Sequence, residues 1–572
     1  MAIKRRKPSN LIYGVDDPVP LPTCFLLGLQ HSFQVTTALI FAMIVVQGMG
    51  ATQAEAEFFI SMSLLGGGIA TLLQALNKKG VGSGYFMPAV CEPAYISASL
   101  LAAKLGGLPL VLGMTALSGI FEIAISRIVQ RMRKVFTPEV MGLVVAMVGI
   151  SVIPIAVRNF LGITDLSPVI NPQVLMVSIA TLGIMVSITV WSKGKLRLYS
   201  VIIGMVAGYV ISFFTGLLPA AHIQQIFSKP LLALPAVTLL RWSFDASLLL
   251  PFAIASLCVS VKTIGNLTTC QKINDADWKR PEMPGIRSGL LADGLGMSLS
   301  GLIGGMGQST ATSNIGLSLG TGATSRQIAF TTGGILIALA FFPRFAEIFI
   351  VMPQPVMGAA PLFAVCFIIF TGFQIMMSRM LDPRKIFILG VSLIFGLSVS
   401  ALPQIYAGIQ NHWLHPVVTS PLYSATLLAI LLTLIFQLGL TKRSSQSLEP
   451  GKTKYEHIRD LLDQHGALWG ARQEVINRAV SALNELMEMI ASEQLTKEPI
   501  QLDMSFDEFN LDLTLQYEGK PIDLTGTYVK PQSLEKNISG MQLSLCMIRK
   551  DADKIEAAEK DGRQRIVLHF DH

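Results

Sequence analysis

The 572-residue sequence predicts a polytopic all-α membrane protein of fourteen spans, built as two inverted halves of seven, followed by a cytoplasmic α+β domain. Three observations carry this reading. The chain is 51% hydrophobic and only 14% charged, with mean hydropathy +0.55, too apolar for a soluble protein of this length. Between about Leu21 and Leu440, apolar runs recur with the length of about 18–25 residues that a helix needs to cross a bilayer. After Thr441 the composition becomes that of a soluble domain.

The tail of residues 1–20 is basic ("MAIKRRKPSN"), and the apolar run behind it is too long for a cleaved signal. It reads as the cytoplasmic flank of a retained first span. The spans centre near Gln34, Leu65, Ala98, Ile120, Val145, Ala180, Gly208, Ser260, Ser298, Gly316, Gly334, Ala364, Val391 and Ile430, which makes 21–440 the membrane domain. With the N-terminus inside, the inner loops hold Lys78, Lys79, Arg127, Arg131, Arg133, Lys134, Lys193, Lys195, Arg197, Lys272, Lys279, Arg280, Arg326, Arg379, Arg384, Lys385, Lys442 and Arg443. The outer loops hold only Lys104, Arg158, Lys229, Arg241 and Arg344. This asymmetry follows the positive-inside rule and puts both termini in the cytoplasm. The net charge of +7 thus belongs to loops, and no nucleic-acid partner is expected. The six cysteines are scattered without metal-ligand spacing, so they read as free thiols, and neither metal nor cofactor is expected.

An odd number of spans per half forces the halves into opposite orientations. The third and tenth spans, at corresponding places, are short and glycine-interrupted: "GSGYFMPAVCEPAY" (82–95) and "TSNIGLSLGTG" (312–322). Broken backbone at membrane depth is tolerated where it lines a cavity or is buried in protein, and paired broken segments point to a transport site. Both stretches are therefore expected to present backbone groups to a solute, with amides near Ala94 and Gly316 as donors.

Polar side chains within the spans give the candidate site. Gln30 and His31 in span 1 either bond a solute or tie helices together, and His31 can carry a proton near neutral pH. In "LCVSVKTIGNLTTC", Lys262, Asn266 and Thr269 recur at helical spacing as one stripe. Lys262 is mid-span and too deep to snorkel, so it needs a partner. Glu92 is the acid in a broken segment and the natural partner, with Glu122 in span 4 as a rival. Asp293 in "LLADGLG" reads as a residue near the start of span 9, capping a helix or holding an interface. No nucleophile–base arrangement or phosphate-cradling loop stands out, so the chain is not read as an enzyme.

Together, "QH" in span 1, "KTIGN" in span 8, "LLADGLG" in span 9 and "SNIGLSLGTG" in span 10 resemble the nucleobase–ascorbate transporter family over about Leu21 to Leu440. Asn314, Gly316 and Thr321 fit its N-x-G-x-x-x-x-T signature. The resemblance implies fourteen spans in two inverted repeats, core and gate domains, short strands in spans 3 and 10 that meet at the solute, and proton or sodium symport. It also carries departures. Lys262 stands where the family has a glutamate, Asn266 where many members have an aspartate, and Ser313 where the signature is preceded by glutamine or glutamate. Pro93 and Ala94 stand at the family's Ser-Phe pair, with Tyr95 beside them. Lysine for glutamate favours an anionic or acidic solute.

Residues 441–454 read as a linker and 455–572 as the α+β domain, with a helix over 471–491, strands over 511–517 and 565–570, and a helix within 541–555. This part resembles a degenerate histidine-kinase or anti-sigma-kinase ATPase domain. "YEGKPID" resembles its D-x-G-x-P-x-D box with Tyr517 at the acid, "SGMQLSLCMIRK" keeps only Gly540 of its glycine-rich box, and Met489 stands at the magnesium-binding asparagine. The expectation is a regulatory or dimerising module that does not use ATP.

The whole reads as a secondary active transporter, an ion-coupled symporter, of a nucleobase such as xanthine, urate or uracil or of a related small organic anion. A transporter-derived solute sensor and a sulfate-permease-like anion carrier are the alternatives. The expected partners are the solute, a proton or sodium ion, the lipid bilayer and a second copy of the chain. The expected location is a plasma membrane, the inner membrane of a bacterium. The expected solute contacts are Gln30, His31, Glu92, Ala94, Tyr95, Lys262, Asn266, Ser313, Asn314 and Gly316, with His31, Asp293 and Thr321 in coupling or gating.

Overall fold

The computed structural model describes residues 6–571 apart from 79, 133–136, 165–167, 193–198, 279–280, 378–380, 410, 412–413, 437–441, 452, 508–509, 523–539 and 561–562. Several basic loop residues used above lie outside the described residues: Lys79, Arg133, Lys134, Lys193, Lys195, Arg197, Lys279, Arg280 and Arg379. The chain divides into two compact units, Met1–Leu432 and Thr433–His572.

The first unit is helical. It begins with α1 (Leu21–Thr36), α2 (Leu39–Met49) and α3 (Gln53–Ala75). Thr52 and Glu55 close the start of α3 with a reciprocal capping box, which satisfies two amides that the first turn leaves open. The strand β1 (Ala89–Cys91) follows, then a 3₁₀ turn Pro93–Tyr95 that runs into α4 (Ile96–Met132). Helix α4 is two helices joined at a kink. Gly106 and Gly107 leave helical geometry, Gly107 at φ 63°, and Pro109 lacks the amide to continue the ladder. The break falls between the expected third and fourth spans.

Next come α5 (Pro138–Leu161), α6 (Pro172–Trp191), α7 (Ser200–Phe214), α8 (Ala220–Ser228), α9 (Leu249–Asn274) and α10 (Met283–Ile303). The strand β2 (Gln308–Thr310) leads directly into α11 (Thr312–Thr321). Then follow α12 (Arg326–Leu339), α13 (Pro343–Ile350), α14 (Gln354–Met376), α15 (Pro383–Ala401), α16 (Pro403–Ala407), α17 (His415–Val418) and α18 (Pro421–Phe436). Among the described residues, eight helices are long and apolar enough to cross a membrane, or nine if the pair α12–α13, bent by 80°, counts as one span.

Two expectations need correction. The stretch 312–322 is not broken backbone: 312–321 is a regular helix closed by Gly322 in the left-handed conformation, and the non-helical chain, β2 included, precedes it at 304–311. Its glycines do not interrupt it. A Cβ at Gly316 or Gly320 would meet nothing within 4 Å, so they leave one side of the helix open. Asp293 does not begin a helix either. Helix α10 starts ten residues earlier, at Met283, and Asp293 lies buried in its middle.

The described part of the N-terminal tail, from residue 6, pairs with the end of α11. The Ile12 and Tyr13 amides donate to Gly322 O at 2.8 and 3.0 Å, and Thr324 N donates to Tyr13 O at 2.8 Å. The tail thereby straps the C-terminal end of α11 to the start of α12.

The second unit is an α+β fold. A five-stranded antiparallel sheet runs in the order β3 (Lys442–Leu448), β4 (Ile500–Phe506), β5 (Asn510–Tyr517), β7 (Arg563–Asp571), β6 (Lys554–Lys560), with helices α19 (Tyr455–Trp469), α20 (Gln473–Ser492) and α21 (Gly540–Asp551). Leu511, Leu513, Leu515, Ile566, Leu568 and Phe570 alternate into its core with apolar residues of α20. The linker expected over 441–454 is instead mostly β3, paired along its length with β4 from Lys442↔Phe506 to Leu448↔Ile500. Its sequence, KRSSQSL, is polar because an edge strand needs only backbone pairing on one side.

Candidate functional site

The site forms where the two broken segments cross. Strands β1 and β2 pair antiparallel as Ala89↔Thr310, Val90↔Ser309 and Cys91↔Gln308. The ladder is extended by Glu92 N to Gly307 O at 2.9 Å and Ala311 N to Pro88 O at 2.9 Å. A three-residue pair is too short to stand alone. The Gln308 amide holds it in place, donating to Ser63 O at 3.1 Å on α3. Each strand then opens a helix, so the positive N-terminal ends of the 3₁₀ turn leading into α4 and of α11 both begin at this crossing.

Helix α9 lies against the ladder. The Lys262 ammonium bonds Glu92 Oε2, forming the pair that the depth of Lys262 demanded. Glu92 is 2% exposed and the Lys262 side chain 19%, so the lysine is the member that reaches open space. The adjacent Thr263 points inward, donating to Asp293 Oδ2 at 2.5 Å, and Ser309 donates to the same oxygen at 2.9 Å. Asn266 is buried, donating to the Thr310 hydroxyl at 3.0 Å and accepting from Thr312 Oγ1 at 2.9 Å. The expected stripe therefore splits. Lys262 and Thr269 keep access to open space, while Asn266 ties α9 to β2 and α11.

Across the crossing, Asn314 joins α11 to α1, donating to His31 O at 3.2 Å and lying 3.3 Å from His31 Nδ1. His31 is fully buried, its ring 4.4 Å from that of Phe86. Gln30 Nε2, His31 Nε2 and Asn314 Oδ1 are buried with no hydrogen-bond partner among the described residues. Buried polar atoms are almost always satisfied, so these three have unused hydrogen-bonding capacity.

Other expected residues fall differently. The Tyr95 ring is fully buried and its hydroxyl donates to Ser256 Oγ at 3.0 Å, which makes it packing between the 3₁₀ turn and α9. Ala94 is buried in that turn, where a first-turn amide has no partner within its own helix. Gly316 is inside α11, so its amide belongs to the helix ladder, and what it offers is an open surface. Ser313 is exposed beside it. Thr321 bonds back to Leu317 O at 3.0 Å in the last turn of α11.

Sequence reasoning passed over Gln308, Ser309, Thr310 and Thr263, which stitch the crossing together. The run "GQSTATSN" carried the signal, since that many hydroxyl and amide groups at membrane depth need partners. The accessible surface of the site is a stripe on each helix: Lys262, Gly265 and Thr269 on α9, and Ser313, Gly316 and Gly320 on α11.

The family model described as "Permease family", of the xanthine/uracil type, matches residues 23–405. A xanthine permease of Escherichia coli K12 is 29% identical over 443 residues, covering 75% of this chain and 95% of that protein. A xanthine permease of Bacillus subtilis strain 168 is 26% identical over 423 residues, covering 72% and 93%. Among solved structures, the transmembrane domain of a cyanobacterium bicarbonate transporter aligns at 16% identity and TM-score 0.46, covering 75% of this chain and all of that one. The matched region contains the whole of the crossing and its polar network, and the chain belongs to the xanthine/uracil permease family: it is a multi-pass membrane transporter of a small molecule, not an enzyme.

Proposed function

We propose that the chain is a secondary active, ion-coupled transporter of a nucleobase, with xanthine, urate and uracil as first candidates, and that it favours the acidic or anionic forms among them. The observation that carries this reading is the crossing: two helix N-termini and an accessible lysine meet at one antiparallel strand pair, and on α1 and α11 three buried polar atoms have no partner among the described residues. Solute lies against the stripes of α9 and α11. Lys262 turns from Glu92 to the acidic edge of the solute. Gln30, His31 and Asn314 supply bonds from the α1 side, and the helix ends at Ala94 and Thr312 favour negative charge. Asn266, Tyr95 and Asp293 hold the elements in register, and Thr321 closes α11 next to the N-terminal strap.

Fourteen spans in two inverted halves fit this site. Helix α4 splits at Gly106–Gly107 into two membrane segments, and the short helices α7, α11 and α18 and the glycine-rich α10 and α12 supply the others. Both termini are then cytoplasmic, in a bacterial inner membrane, and the protein works as a homodimer. The C-terminal unit serves regulation or dimerisation. Met489 is buried at 2% exposure in α20, and Tyr517 is buried with its hydroxyl on Lys520 O at 3.1 Å, so neither position offers a ligand to a nucleotide. Ser539 of the glycine-rich box lies outside the described residues.

The test is uptake of radiolabelled xanthine, urate and uracil into proteoliposomes, with counterflow as the measure of exchange. Saturable uptake of one of them, competed by the others in order of acidity, supports the reading. Binding of a solute without uptake or counterflow turns the protein into a sensor.

A further inference from the structure

Beside the Lys262–Glu92 pair, against Ser260 and Thr263 of α9, lies a second pair of acids, Glu122 and Asp293. Helices α4 and α10 cross there at very short range. A Cβ added to Gly119 would stand 2.4 Å from Gly294 O and 2.2 Å from Ser298 Oγ, a contact only two glycine backbones allow. Glu122 lies one turn beyond Gly119 on α4, and Asp293 adjoins Gly294 on α10; Ser260 and Thr263, three residues apart on α9, reach Glu122 Oε1 at 3.5 Å and Asp293 Oδ2 at 2.5 Å, so both carboxyls converge on one short stretch of α9. Glu122 is 0% exposed and Asp293 3%.

The surroundings assign a state to each. Asp293 Oδ2 accepts from two hydroxyls, Thr263 and Ser309, as an ionised carboxylate does. Glu122 has no comparable support. The Ser260 hydroxyl is 3.5 Å from its Oε1, and Oε2 is buried with no donor. The charged and titratable groups facing it are Asp293 from α10, Lys262 from α9, Glu92 from the end of β1 and Tyr95 from the 3₁₀ turn. Lys262 is the one cation in this set and is already paired to Glu92. Ionising both remaining acids would place two unbalanced negative charges side by side away from water, and two such carboxyls share a proton instead.

We propose that Glu122 binds a proton and donates it in a hydrogen bond to the Asp293 carboxylate, and that this pair is the site where the transporter takes up its coupling proton. The inference rests on the transport reading for its role, but the proton itself does not depend on it. When an acidic solute draws Lys262 away from Glu92, the cluster loses its nearby positive charge. Glu122 and Asp293 then hold their proton more tightly, so anion and proton enter together.

The test is infrared difference spectroscopy of purified full-length protein across a pH titration, in light and heavy water. The expected result is a carboxylic-acid C=O band present at neutral pH, shifted in heavy water, lost in Glu122→Gln and moved but retained in Asp293→Asn. Absence of any such isotope-sensitive band from the wild type, or its persistence in Glu122→Gln, overturns the proposal. In proteoliposomes the stimulation of wild-type uptake by an inward proton gradient should fall to about onefold in Glu122→Gln, whereas stimulation by sodium alone in the wild type would make the coupling site a metal-ion site and overturn it. A Glu122-dependent band in a protein that takes up no nucleobase leaves the proton site standing and removes the transport reading.

Discussion

Lys262 and Glu92 form a pair of unequal members, and the inequality predicts how each behaves alone. Lys262→Met removes the ammonium and strands a carboxylate that is 2% exposed. Loss of one partner of a buried pair costs about 3–5 kcal/mol, roughly two powers of ten or more in the folding equilibrium. Glu92→Gln strands the lysine instead, but its side chain is 19% exposed and can turn toward the opening, so the loss is that of a hydrogen bond to a charged group, about 1.5–3 kcal/mol. The double variant leaves no charge stranded and recovers an interaction of about 0.5–3 kcal/mol relative to the sum of the singles. The assay is a cycle of the four proteins, each purified in the same detergent and unfolded by denaturant. Lys262→Met should be the least stable and the double variant more stable than it. Strict additivity, or Glu92→Gln as the worse single change, would refute the pair as a coupled unit.

Three further changes test other parts of the structure. Gly316→Ala should leave folding intact or improve it by about 0.5–1 kcal/mol, since helical glycine is disfavoured and the site is open; Gly316→Trp should fold as well but block counterflow, and normal counterflow would remove that face from the solute path. Gly119→Val should destabilise by at least about 1–3 kcal/mol, read as lost membrane expression, because backbone of α10 cannot yield. The protein should show no magnesium-dependent ATP binding in equilibrium dialysis; micromolar binding dependent on residues 433–572 would overturn the reading of Met489 and Tyr517.

One contact of the candidate site was legible because burial of charge is so costly that it forces partners. Lys262 at mid-span required an acid, and Glu92 was the acid in a broken segment. The signature residues drew attention to α11 for a partly wrong reason. Glycine at 316 and 320 suggested broken chain, yet in α11 those glycines clear a face while the break lies upstream, where β2 forms. The run holding Ser309 and Thr310 showed that partners were needed but not which ones, and Thr263 gave no sign at all, because serine and threonine satisfy themselves inside helices as readily as across them. Depth misled at Asp293: the start of a span was placed where α10 was already nearly three turns long. In the C-terminal unit, the alternation of β5 and β7 showed from sequence, whereas β3 has no apolar alternation to show.

Lys262 and Thr263 are neighbours on α9, and this adjacency bears on how the two pairs of charges communicate. Successive helical residues point about 100° apart, at 3.6 residues per turn. Lys262 thus reaches Glu92 and the opening, while Thr263 reaches Asp293 and β2. A displacement of α9 that lets Lys262 follow a solute must carry the Thr263 hydroxyl with it. Asp293 then loses one of the two donors that stabilise its charge, and its demand on the proton of Glu122 rises. The helix is the physical link, so no chain of intermediates is needed between solute and proton. Thr263→Val tests the link without altering a charge. It removes the donor to Asp293 while keeping the shape of the side chain, and leaves Lys262 and Glu92 in place. Solute affinity at a fixed proton concentration should then depend less steeply on pH than in the wild type. Titrations of xanthine binding against pH for the two proteins give the comparison, and superimposable curves would show that α9 does not transmit between the sites.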